Sequence, residues 1–145
     1  MNFTSQICTT KEQSERLLAL GLKKETADMH YYHTVDFEGN EVWYSSIIPY
    51  ENVVMASDFV GETEIRLENH TIPAWSLHRL IEMMPNNIIQ DDCTLILGIN
   101  ADSVYYADNE YGEVFNTFDG NLYECVTKCI EWLIKEGYFN KEYLN

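Results

Sequence analysis

The chain has 145 residues, 46% of them apolar and 13% aromatic, which is the length and composition of one ordinary domain with a single core. With 24 Asp and Glu against 9 Lys and Arg the net charge is −15, so the surface repels phosphate, and direct binding to nucleic acid or to an anionic membrane is not expected. No apolar run approaches a membrane span, the opening MNFTSQICTT lacks the pattern of a secretory signal, and the four scattered cysteines form no C-x-x-C, so a soluble cytoplasmic protein with free thiols is expected.

In chain order, TTKEQSERLLALG reads as a helix over 11–20. Thr9 or Thr10 caps it, Glu12 or Gln13 reciprocates, Gly21 ends it, and Leu17, Leu18 and Leu20 face the core. MHYYHTVDF and EVWYSSIIPY, two β-branched and aromatic runs around Gly39-Asn40, read as a β-hairpin with strands near 29–37 and 41–48. Residues 51–72 are ambiguous, with room for a short strand or two around Gly61. IPAWSLHRLIEMMP reads as a short amphipathic helix over 74–84, with Pro73 at its start, Leu77, Leu80, Ile81 and Met84 on one face and Pro85 at its end. CTLILGI, SVYYAD and EVFNTF are three strand-like runs near 93–99, 103–108 and 113–118, an antiparallel meander. Asn121 or Asp119 caps a last helix over 121–136, whose Leu122, Cys125, Val126, Cys129, Ile130 and Leu133 make one stripe before Gly137. The order helix, hairpin, helix, meander, helix predicts one α+β domain over 1–145, a mostly antiparallel sheet packed with about three helices.

The chemistry-bearing residues do not converge along the sequence. His30 and His33 have a spacing that suits a metal on a helix, but in a strand they point to opposite faces. A loop centred on Gly39 would set His33 opposite Ser45 or Ser46 and His30 opposite Ile48 or Pro49, none of them a ligand. No bound metal is expected there. His78 and Glu82 are an i, i+4 pair on the polar side of their helix, with no third ligand in sight. Cys93 opens an apolar strand, and Cys125 and Cys129 lie on an apolar helix stripe, so core packing is expected of them rather than nucleophilic catalysis. The seven glycines never cluster into a phosphate cradle, DNEYGE at 108–113 lacks the alternate-residue spacing of a calcium loop, and no cofactor is expected.

Tyrosine is in surplus, at ten residues. Because it offers rigid contact area with a polar handle, Tyr32, Tyr44, Tyr105, Tyr111 and Tyr138 are candidates for contact with a partner, most plausibly a protein; half-buried strand positions are the plainer account.

Three stretches, ETADMHYY at 25–32, IPAWSLHRLIEMMP at 72–85 and LYECVTKCIEWLIKEGY at 122–138, resemble a group of small acidic uncharacterised proteins of gut Bacteroides-type bacteria, often carried in prophage or other mobile elements. The residues that carry the resemblance, Trp75, Leu77, Leu80, Ile81, Pro85, Trp132, Leu133 and Gly137, are of structural type. The resemblance implies a bacterial or phage origin and an intracellular setting, and brings no activity with it.

The expected function is that of a non-enzymatic accessory protein that binds another protein through an acidic, tyrosine-rich surface, with imitation of nucleic acid as a variant. The alternative is a small hydrolase or metal-dependent enzyme whose site folding assembles from His70, His78, Glu82 and Asp58.

Overall fold

A computed structural model of the chain describes residues 5–35, 38–46, 71–110 and 112–145. Its described elements are α1 (Lys11–Ala19), β1 (Met29–Val35), β2 (Glu41–Ser46), β3 (Thr71–Ala74), α2 (Leu77–Met83), β4 (Asn87–Ile89), β5 (Thr94–Ile99), β6 (Ser103–Asp108), β7 (Gly112–Phe118) and α3 (Leu122–Glu136), with 3-10 turns at Lys24–Thr26 and Lys141–Tyr143. The strands form two antiparallel sheets, ordered β2-β1-β3 and β4-β5-β6-β7. The fold is therefore α+β with antiparallel sheets. No helix among the described residues is long and apolar enough to cross a membrane.

Local chemistry sets the helix ends. In α1, the Thr10 side chain accepts from the Gln13 amide while the Gln13 side chain accepts from the Thr10 amide, a closed capping box. Gly21 follows α1 at φ +99°, a conformation that costs a Cβ-bearing residue heavily. Asn121 caps α3 by accepting from the Glu124 amide, and Gly137 ends it in the left-handed region. The α3 stripe lands as its periodicity predicts: Cys125, Val126, Cys129, Ile130 and Leu133 are all fully buried. They pack with Leu17, Trp75, Leu80, Leu95, Val104 and Tyr106 in the main core.

Three expectations are corrected. The second helix begins at Leu77 rather than near Pro73, because the Ser76 side chain accepts from the Arg79 amide and so supplies the cap. Pro73 instead belongs to β3, which among the described residues pairs only with β1; at the edge of that described sheet a missing N–H costs no ladder bond. The hairpin register also shifts, since Val35 pairs with Glu41: Trp43 lies opposite His33, and Ser46 opposite His30. Finally, the meander has a fourth strand, Asn87–Ile89, beside β5. The ambiguous stretch around Gly61 lies outside the described residues.

The segment before α1 is tied into this frame by buried polar groups that all find partners. Thr9 donates its amide to the Trp75 carbonyl at 2.9 Å and accepts the Trp75 amide on its hydroxyl at 3.1 Å. The Trp75 indole donates to the Thr26 hydroxyl at 3.0 Å, and the Tyr31 hydroxyl donates to the Thr9 carbonyl at 2.8 Å. A buried polar group left unpaired would cost about 1–3 kcal/mol, so this satisfied network fixes where the chain enters α1.

Candidate protein-interaction surface

In the four-stranded sheet, side chains alternate between a face turned to α3 and a face turned away. The inner set includes Ile88, Leu95, Val104, Tyr106 and Thr117, all buried. Trp132 of α3 stacks on Phe115 at 4.6 Å between ring centroids and tilts against Tyr106 at 5.7 Å, seating the helix on β6 and β7. The Tyr106 hydroxyl donates to the Pro85 carbonyl at 2.6 Å, and burial pushes its pKa well above the ordinary tyrosine value.

The outer face is different. Ile89 pairs with Thr94, and Ile96 lies two residues on; Ile96 pairs with Ala107, and Tyr105 lies two residues back; Tyr105 pairs with Asn116, and Phe118 lies two residues on. Ile89, Ile96, Tyr105 and Phe118 are thus successive diagonal neighbours, one from each strand. Diagonal neighbours sit about 7–8 Å apart, so the four make an apolar stripe about 23 Å long across the whole sheet. Ile89 is 84% exposed, Phe118 77% and Ile96 46%. Among the described residues no helix packs on this face. Val114, at 54% exposure, is the residue left unpaired where a register shift between Tyr106 and Ala107 bulges β7.

The stripe has an ordered centre. Tyr105 lies across from Gly98, and its ring covers the glycine so closely that a Cβ there would fall 2.1 Å from the ring carbon Cζ. A glycine in a strand leaves a gap in the pleated surface, and a cross-strand aromatic ring fills it.

Of the described tyrosines singled out from the sequence, Tyr105 alone lies on this stripe. Tyr32 and Tyr44 are directly paired positions in the other sheet, and Tyr111 lies outside the described residues. Tyr138 is held from both ends, its hydroxyl accepting from the Gln90 side chain at 2.9 Å and its ring tilted against Trp132.

His78 and Glu82 come together at an open depression of about 310 Å³ lined also by Glu25, Asp28 and Arg79. His70 and Asp58 lie outside the described residues. Three of the depression's polar side chains, Asp28, Arg79 and Glu82, are bonded within the fold. Asp28 accepts from both the amide and the hydroxyl of Ser76, clamping the start of α2. Arg79 donates from Nε to the Thr26 carbonyl at 2.8 Å and from Nη1 to Glu82 at 2.8 Å, and that hydrogen bond holds the Glu82 carboxyl below the usual range. Among the described residues no group of three or more His, Cys, Asp and Glu gathers as a metal would require.

No protein-family model, no curated protein and no solved structure matches the chain.

Proposed function

We propose that the protein is a non-enzymatic accessory protein that works in the cytoplasm by binding another protein, and that the outer face of the four-stranded sheet is the surface it uses. The observation that carries this reading is the Ile89–Ile96–Tyr105–Phe118 stripe, which leaves three large apolar side chains exposed to water. Exposed apolar groups in a row across a rigid sheet release water when a partner covers them, and a central tyrosine is the residue type that anchors such contacts. Catalysis at the His78–Glu82 depression is the weaker reading, because Asp28, Glu82 and Arg79 there are already bonded to one another, to Ser76 or to backbone.

The test is affinity capture from the native host with three baits: the natural protein, Ile89→Ala/Phe118→Ala, and His78→Ala/Glu82→Ala. A protein retained by the first and third baits and lost from the second is the expected result. Retention by all three, or loss only from the third, contradicts the reading.

A further inference from the structure

The sheet that carries the stripe also has one sign of charge. Between Asn87 and Phe118 stand six carboxylates, Asp91, Asp92, Asp102, Asp108, Glu110 and Glu113, and no Lys, Arg or His. The meander sorts them to its ends: Asp91 and Asp92 follow β4, Asp102 precedes β6, and Asp108 and Glu110 flank the turn into β7. Asp91, Asp92 and Glu110 are exposed. Glu113 pairs with Ala107, which places it on the outer face beside the stripe, where it accepts from the Asn116 side chain at 2.7 Å. The Ile89 half of the apolar stripe is thus bounded by negative charge, Asp91 and Asp92 at its end and Glu113 along its flank, that no cation of the sheet offsets.

That pattern selects the occupant. A second copy would lay acidic rims against acidic rims at −15 per chain, and burying a like charge without a partner is costly. A cationic segment laid along the stripe would meet the Asp91, Asp92 and Glu113 carboxylates as its apolar side chains met Ile89, Ile96 and Tyr105. The strands are hydrogen-bonded to one another within the sheet, so the face docks side chains rather than backbone, as a helix does and an added strand does not. A stripe of about 23 Å is covered by an α-helix of about fifteen residues.

We propose that the outer face receives a basic amphipathic helix of another protein, its apolar side chains along Ile89–Ile96–Tyr105–Phe118 and its Lys or Arg side chains at the Asp91–Asp92, Glu110 and Glu113 carboxylates. The proposal rests on the reading of this face as a protein-binding surface and names the chemistry of what it binds.

The probe is a fluorescent peptide of about sixteen residues, built of Leu and Lys with the Leu on one helical face. Two controls accompany it: the same pattern in Leu and Glu, and a scrambled Leu/Lys sequence. Binding is read by fluorescence anisotropy. The patterned Leu/Lys peptide is expected to bind, and to bind at least about tenfold more weakly to Ile89→Ala/Phe118→Ala and to Asp91→Asn/Asp92→Asn/Glu113→Gln. Removal of three exposed charges elsewhere, in Glu12→Gln/Glu15→Gln/Glu136→Gln, is expected to leave it nearly unchanged. All the replaced side chains are exposed, and unchanged circular dichroism and unfolding midpoints check that each variant is folded.

Equal weakening by the two triple variants would mean general charge attraction and would overturn the proposal, as would equal binding of the scrambled peptide. Binding of the Leu/Glu peptide that is lost in Ile89→Ala/Phe118→Ala would overturn the basic partner while leaving the face itself as a binding surface. A dimer in sedimentation that the same double variant turns into monomer would make a second copy the occupant and overturn it too. No binding of any peptide overturns the proposal, whatever the fate of the host-capture result.

Discussion

The outer end of the Tyr105 ring lies over Gly98, its cross-strand neighbour, at a separation that leaves no room for a methyl group. This pairing sets the centre of the outer face. The clash a Gly98→Ala side chain would make is with the far end of Tyr105, which can swing away. Gly98→Ala is therefore expected to change stability by less than about 1 kcal/mol while turning the ring off the sheet. In the natural protein the Gly98 α protons should show an upfield ring-current shift that vanishes in Gly98→Ala and in Tyr105→Ala. A double-mutant cycle should give a coupling of about 0.2–1 kcal/mol, and zero coupling would contradict the contact.

Leu133, fully buried on the α3 stripe, carries the expectation for the core. Leu133→Ala removes side-chain packing between α3 and its neighbours and should cost about 2–5 kcal/mol in chemical unfolding. A loss below about 1 kcal/mol would show that the stripe is not core.

α3 was legible in the sequence because every signal for it is local: a capping Asn121, a 3.6-residue stripe and a Gly137 stop all lie within one short segment. The same holds for α1. The start of α2 was misread because Pro73 suits both the first turn of a helix and an edge strand, and only the partner strand β1 decides between them. The hairpin register failed for a related reason. Strand partners depend on loop length, which Gly39 alone does not fix. The apolar stripe was invisible along the chain, since Ile89, Ile96, Tyr105 and Phe118 become neighbours only through the register of three strand pairs. The absence of basic residues from 87–118 was readable all along, but becomes a property of one surface only once those residues form one sheet.

Glu124 gives the fold a pH dependence. Burial pushes its carboxyl pKa up, but hydrogen bonds from Arg16 at 2.6 Å and Gln13 at 3.0 Å outweigh burial and hold it below the usual 4.5. A folded-state pKa below the unfolded value adds stability above the unfolded pKa, which is lost as pH falls through the folded one. Glu124→Gln should therefore cost about 0.5–1 kcal/mol at neutral pH, discounted because the pair is partly exposed, and the gap from the natural protein should close as pH drops below about 4. A gap that persists in acid would show that the carboxylate charge is not the cause.

The thiols should separate by burial. Cys8, Cys125 and Cys129 are buried, and burial pushes the Cys129 thiol up to about 12, whereas Cys93 is half-buried. An aromatic disulfide reagent at neutral pH should titrate at most one thiol, slowly, in the folded protein and four after unfolding; Cys93→Ser should remove the slow reaction. Fast reaction of two or more thiols in the folded state would contradict the packing of the core.

The most direct measurement of the central claim is a map of backbone amide shifts on addition of the patterned Leu/Lys peptide to the full chain. Shifts are expected to concentrate at Ile89, Ile96, Gly98, Tyr105 and Phe118, with Asp91, Asp92 and Glu113 at the margin. Shifts gathered instead at Glu25, Asp28, His78 and Glu82, or spread evenly over the acidic surface, would contradict the assignment of the outer sheet face as the binding surface.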